Sequence, residues 1–438
     1  MNTMKIYPGR SLRGAIDLPG DKSISHRAAM LLAVAEGEAR IHNFSASADC
    51  ASTLSCLRLL GVQTGRENSA VTVTGAGKRG LQKPPGDLDC GNSGTTMRLL
   101  SGILAGQNFE SVVTGDGSLQ KRPMKRIIEP LTMMGARVEA SDGKAPLRIT
   151  GRRPLDAIAY KPPVASAQLK SCVLLAGLFA GGRTSIIEET PTRDHTERML
   201  RFLGVDVESV TSAEGEILSL SGEGKLVARD ITVPGDISAA AFFIVAASCL
   251  EGSEAVLKNV GLNPSRTAVL EALRNFGAEI EILNKREVCN EPVGDLVVRK
   301  KGPWPLASSN IISGPAIANL IDEIPVLAVF GTQVEGGLEI RDARELRVKE
   351  SDRIAAVVEN LRRMGAFVEE FRDGFKVERS VLKGATIDSF GDHRIAMAFA
   401  VAGLFADGET IIEGAECAAV SFPGFFEVLD RAVIRRDG

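Results

Sequence analysis

Leu57-Arg58-Leu59-Leu60-Gly61-Val62-Gln63-Thr64 (LRLLGVQT) is the stretch on which the reading of this chain turns. Leu57 and Leu60 lie three residues apart, on one face of a helix. Gly61 stands where such a helix would end, because a residue without Cβ enters the left-handed region at little cost. Thr64, β-branched, then opens a strand. The same order returns as Leu131, Met134, Gly135 and Val138, and as Leu200, Leu203, Gly204 and Val207. It returns again as Leu273, Phe276, Gly277 and Ile280, and as Leu361, Met364, Gly365 and Val368. The five glycines are separated by 74, 69, 73 and 88 residues (61→135→204→277→365), so the repeating unit has roughly seventy residues. A degenerate sixth copy is expected over 425–434.

Between these amphipathic helices lie segments that are apolar all round: RAAMLLAVAEG (27–37), MRLLSGILAG (97–106), LKSCVLLAGLFAG (169–181), AAFFIVAASCLEG (240–252) and RIAMAFAVAGLFADG (394–408), with LIDEIPVLAVFG (320–331) a weaker copy. A helix without a polar face must be buried, and these are too short to span a bilayer. Six units of buried helix, strand, amphipathic helix and strand predict an α/β protein of two similar domains, three repeats each. Pro19-Gly20-Asp21 and Pro234-Gly235-Asp236 echo each other about half a chain apart and are read as crossovers. The expected domains are 1–21 with 234–438, and 22–233.

The chain has 438 residues, 44% hydrophobic and 24% charged, with a formal net charge of −3, which disfavours a broadly basic nucleic-acid surface. Seven cysteines without a CxxC pair suggest reduced thiols. The opening MNTMKIYPGR has no apolar stretch, so a cytoplasmic protein without membrane association is expected. His26, His195 and His393 lack ligand spacing, and no phosphate-loop or dinucleotide motif follows a strand, so neither metal nor cofactor is expected.

The starts of the buried segments carry the chemistry. PGDKSISHR (19–27), GNSGTT (91–96), SAQ (166–168) and GDHR (391–394) supply Asn92, Ser93, Thr95, Ser166 and Asp392 as candidate N-caps. Capping does not call for the cations beside them: Lys22, Arg27, Arg98, Arg122, Arg193, Lys349, Arg353 and Arg394. Unpaired N–H groups and cations at corresponding places in repeated units read as an anion-binding surface. Asp322 and Glu350 lie among these cations as salt-bridge partners or proton-transfer groups.

Taken in order, PGDKSISHR, GNSGTTMRLL, RPM, SAQLKS, RVKESDR and GDHRIAMAF closely resemble the 5-enolpyruvylshikimate-3-phosphate (EPSP) synthases over essentially the whole chain. The resemblance implies two domains of three βαβαββ units, with buried helices pointing their N-termini at an interdomain cleft that holds the active site. It implies transfer of the enolpyruvyl group of phosphoenolpyruvate to the 5-hydroxyl of shikimate 3-phosphate, with these two small molecules as the only partners of a monomer. By position, Lys22, Ser23, Arg27, Ser166, Gln168, Arg193, Asp322 and Lys349 match the shikimate 3-phosphate set. Lys22, Gly94, Arg98, Arg122, Gln168, Lys349, Arg353 and Arg394 match the phosphoenolpyruvate side, some serving both, and Asn92 and Ala167 are further substrate-binding positions. Glu350, Asp322 and Lys22 match the catalytic groups, and Gly94 is the small residue that leaves room for the inhibitor glyphosate. Three positions depart from some members of the family: Val420 where they have a Lys, Leu99 for Pro, and Ala167 for a second Ser. The sister transferase acting on UDP-N-acetylglucosamine is disfavoured because TGDGSLQKRPM (114–124) lacks the Cys common there. A non-enzymatic repeat scaffold would not need the two carboxylates among eight cations. An RNA-modifying enzyme is disfavoured by an aromatic content of 5%.

Overall fold

All five repeat glycines have positive φ, from 83° at Gly365 to 95° at Gly204. In a computed structural model, which describes residues 2–302, 304 and 310–435, each helix closes in the same way. The N–H of the residue after the glycine (Val62, Ala136, Val205, Ala278 or Ala366) donates to the carbonyl of the leucine four before the glycine, at 2.9–3.1 Å. This is the six-to-one bond of a Schellman closure, and in each copy the leucine and the apolar residue beyond the glycine both belong to the hydrophobic core. Strands follow at once, at Gln63–Glu67, Arg137–Ser141, Val207–Ser212, Glu279–Val288 and Val368–Phe371.

The chain divides into two compact units. One comprises Met1–Pro19, Pro234–Arg286 and Pro292–Gly438; the other comprises Gly20–Val233 and Glu287–Glu291. The change of unit after Pro19 precedes the expected one after Asp21. Glu287–Glu291, the tip of the hairpin between strands Glu279–Val288 and Glu291–Arg299, groups with the second unit instead of with its sequence neighbours.

In the second unit one topology occurs three times, each time as a four-stranded sheet. A two-residue strand (Ile231–Thr232, Leu88–Asp89 or Ala159–Tyr160) pairs parallel with a longer one (Glu36–His42, Glu110–Thr114 or Arg183–Glu188). An antiparallel hairpin completes each sheet. Helices Lys22–Ala33, Gly94–Ala105 and Ala167–Gly177 form the centre and are buried nearly throughout after the first turn. Gly102 shows how closely two of them pack, since a Cβ there would lie 2.3 Å from the Cys172 carbonyl oxygen.

The first unit varies the theme. Helices Ile237–Cys249, Ile324–Gly331 and His393–Phe405 are buried, and Phe242, Phe243, Phe422 and Phe425 pack against one another with ring centres 5.6–6.1 Å apart. Its sheets have five, four and three strands. The sixth copy is degenerate for a visible reason: helix Phe425–Ala432 has no terminal glycine and runs straight into Val433–Arg435, which pairs with Gly9–Ile16. Among the described residues no helix is long and apolar enough to cross a membrane, and all seven cysteines are free thiols.

Candidate active site

Five of the six buried helices begin on side-chain caps; Ile324–Gly331 does not. Asp21 accepts from the Ile24 N–H, Ser93 from Thr96, Ser166 from Leu169, Asp236 from Ser238 and Asp392 from Arg394. Ser93, Ser166 and Asp392 thus cap as the sequence suggests. Asn92 and Thr95 do not, because their side chains are engaged elsewhere. Asn92 Nδ2 donates to Asp116 at 2.8 Å while its Oδ1 accepts from Arg122 at 2.7 Å, and Thr95 Oγ1 accepts from Gln168 at 2.9 Å.

Eleven of the candidate residues lie in the second unit, at or near these helix starts. Arg98 Nη1 donates to Gln168 Oε1 at 2.6 Å, joining the Gly94 and Ala167 helices. A Cβ on Gly94 would lie 2.8 Å from Arg98 Nη1 and 3.5 Å from Arg122 Nη1, so Gly94, Arg98, Arg122 and Gln168 are immediate neighbours. Lys22 pairs with Asp49 at 2.9 Å. Arg27 is buried; it donates to Thr196 Oγ1 at 2.7 Å, to Ser171 Oγ at 2.8 Å and to the Ser23 carbonyl at 3.0 Å. Burial chiefly draws the Arg27 guanidinium down to about 10; Arg193 adds to this and Glu197 opposes it. Ser23, Ser166, Ala167, Gln168 and Arg193 are half-buried.

Behind them lies a polar framework. His26 Nδ1 shares a 2.7 Å hydrogen bond with Thr53, which meets Thr96 at 2.7 Å, tying three helices together. Burial, reinforced by Lys22 and Arg27, holds His26 neutral, well below its ordinary value. Lys170 Nζ lies 2.7 Å from Glu188 and 2.7 Å from Glu197, and it donates to the Thr192 carbonyl at 3.3 Å. It thereby braces the loop carrying Arg193. His195 pairs with Glu291 of the hairpin tip at 2.8 Å.

The other five candidates lie in the first unit, where Glu350 and Asp322 gather on the guanidinium of Arg353. Arg353, 1% exposed in its side chain, reaches Glu350 at 2.7 Å, Asp392 at 2.8 Å and Asp322 at 3.6 Å. Burial opposes its charge, yet Asp392, Glu350 and Asp322 hold it well above the usual guanidinium value. Arg394 donates to the Asp322 carbonyl at 2.7 Å, and its Nε lies 3.7 Å from the Asp322 carboxylate. Burial pulls the Lys349 ammonium below its ordinary value, against Asp322, Glu345 and Glu350. Residues the sequence reading passed over complete the group: Arg266 lies 3.8 Å from Asp322 and 3.6 Å from Glu323. Their one sequence signal is positional, because Arg266 precedes Gly277 by the same eleven residues that separate Arg193 from Gly204.

Two cavities, of about 740 and 830 Å³, lie elsewhere, at the C-terminal ends of buried helices, and contain none of the candidate residues. Among the described residues no cluster of His, Cys, Asp and Glu could hold a metal ion.

The family model of EPSP synthase (3-phosphoshikimate 1-carboxyvinyltransferase) matches residues 6–429. The chain belongs to this family. A relative from Salinibacter ruber named 3-phosphoshikimate 1-carboxyvinyltransferase is 53% identical over 432 residues, covering 97% of this chain and 98% of the relative. One of the same name from Solibacter usitatus is 52% identical, with 98% and 99% covered. An EPSP synthase structure from Acinetobacter baumannii superposes with a TM-score of 0.87 at 44% identity, covering 99% and 98% of the two chains. The enolpyruvyl transferase NikO from Streptomyces tendae shares the fold, with a TM-score of 0.78 at 19% identity and 98% and 96% covered. This member of the EPSP synthase family therefore has the two-domain enolpyruvyl transferase fold.

Proposed function

We propose that this chain transfers the enolpyruvyl group of phosphoenolpyruvate to the 5-hydroxyl of shikimate 3-phosphate, releasing inorganic phosphate. The observation that carries the reading is the pair of carboxylates, Glu350 and Asp322, held at 2.7 and 3.6 Å from the single guanidinium of Arg353. Two acid/base groups beside one guanidinium, itself balanced by Asp392, match a reaction that moves protons at two atoms of one anionic adduct.

In the addition step the 5-hydroxyl oxygen bonds to C2 of phosphoenolpyruvate, its proton passes to Asp322, and Glu350 protonates the C3 methylene. In the elimination step a methyl proton returns to Glu350, the C2–O bond to phosphate breaks as the leaving phosphate takes up the proton held by Asp322, and the alkene re-forms. Lys22 assists the departing phosphate. Both substrates carry a carboxylate and a phosphate, which suits guanidinium forks and lysine point charges. Ser23, Arg27, Ser166 and Arg193 are assigned to shikimate 3-phosphate, and Lys22, Gln168 and Lys349 to both substrates. Gly94, Arg98, Arg122, Arg353 and Arg394 are assigned to phosphoenolpyruvate, and Asn92 and Ala167 to the substrate site without a share between the two. The same reading has the chain work as a cytoplasmic monomer with no metal or organic cofactor.

Steady-state phosphate release with varied phosphoenolpyruvate tests the assignment through Gly94→Ala. The new methyl crowds Arg98 Nη1, so KM for phosphoenolpyruvate rises by about tenfold or more while KM for shikimate 3-phosphate changes little. Equal rises in both constants would remove Gly94 and Arg98 from the phosphoenolpyruvate side.

A further inference from the structure

We propose that Arg266 is a positioning residue for this reaction: held by Ser238 and Glu323, its guanidinium keeps the Asp322 carboxylate ionised. The inference rests on the reading of Asp322 as the group that takes the hydroxyl proton. Arg266 comes from the turn before helix Ala268–Asn275 and is 3% exposed. It donates to Ser238 Oγ, and Ser238 in turn donates to Glu323 Oε1. Ser238 stands in the first turn of a buried helix whose cap, Asp236, accepts the Ser238 N–H at 2.8 Å. The guanidinium is therefore located by buried protein groups.

Asp322 is faced by cations on several sides. Arg353 Nη1 and Arg394 Nε lie 3.6 and 3.7 Å from Oδ1, Arg266 Nη1 lies 3.8 Å from Oδ2, and Lys349 adds its charge. The carboxylates of Glu323, adjoining Arg266 and Arg394, and of Glu350, on Arg353, oppose them. These cations differ in what binding does to them. Arg353, Arg394 and Lys349 are assigned to substrate anions, which take up part of their field once bound. Arg266 has no such assignment, so its support for an ionised Asp322 persists in the ternary complex, where the proton moves. An opposite charge at this range lowers a carboxyl's pKa by about 1–3 units.

The test is the pH profile of kcat, which reports groups in the bound complex. Arg266→Gln removes a cation beside Asp322, so the acid limb moves up by about one pH unit, while both KM values stay within about threefold. Arg266→Lys, which keeps the charge, holds the limb near that of the unaltered enzyme. Glu323→Gln removes an opposing carboxylate and moves the limb the other way, which decides the matter if Arg266→Gln does not fold. Limbs unmoved in both Gln variants, or moved equally by Lys and Gln at 266, overturn the proposal. If the unaltered protein releases no phosphate from the two substrates, the functional reading fails instead, and the two failures are distinct.

Discussion

Glu350→Gln and Asp322→Asn should each lower kcat by about 10²- to 10⁴-fold, the usual contribution of a positioned proton-transfer group. Both substitutions keep the shape of the side chain, and the amide that replaces the Glu350 carboxylate can still face Arg353, so KM for either substrate should change by far less than kcat. The double variant should fall short of the product of the two losses, because groups serving one adduct are not additive. The two losses should also differ in kind. Without Glu350, exchange of solvent deuterium into the methylene of phosphoenolpyruvate disappears along with turnover, because that residue is assigned the carbon-directed proton. Retention of that exchange at the normal rate in Glu350→Gln would reassign the acid. Steady-state kinetics and the exchange experiment together check both roles, and normal turnover by either variant would reject its carboxylate.

The second large effect falls on stability. Lys170 is 1% exposed, between Glu188 at 6% and Glu197 at 1%. Lys170→Met leaves two buried carboxylates without their cation, a loss of about 3–5 kcal/mol. Burial already lifts the Glu197 carboxyl above its ordinary value against the pull of Lys170, and without the lysine it rises further. A carboxyl whose folded pKa exceeds its unfolded one favours the folded state at low pH and loses that contribution as pH rises through the folded value. The deficit of Lys170→Met should therefore be largest near pH 8 and narrow toward pH 5 in denaturant unfolding curves. A deficit below about 1 kcal/mol, or one independent of pH, would show that the lysine is not the counter-charge of this cluster.

The repeat was legible because backbone rules leave a mark in sequence. Gly61, Gly135, Gly204, Gly277 and Gly365 all take left-handed φ, and each leucine four residues earlier offers the carbonyl that the closure uses. The all-round apolar segments likewise announced burial, and Ser93, Ser166 and Asp392 announced helix starts. Contacts between side chains from distant segments left no such mark. Asn92 looks like a cap yet binds Arg122 and Asp116, thirty and twenty-four residues away. Arg266 sits in an ordinary turn, and its link to Glu323 runs through Ser238, which only the packing of three segments brings together. Glu323 was overshadowed by Asp322 beside it, although Glu323 is the more deeply buried of the two. Lys170 reads as one cation in an apolar helix; its two carboxylate partners come 18 and 27 residues later, from a strand and the next helix.

The central claim, enolpyruvyl transfer to shikimate 3-phosphate, is tested most directly by incubating the protein with phosphoenolpyruvate and either shikimate 3-phosphate or UDP-N-acetylglucosamine. Released phosphate is measured and the organic product is weighed by mass spectrometry. The account predicts phosphate and an enolpyruvyl adduct with shikimate 3-phosphate alone. An adduct formed only with the nucleotide sugar, or with neither acceptor, would contradict it.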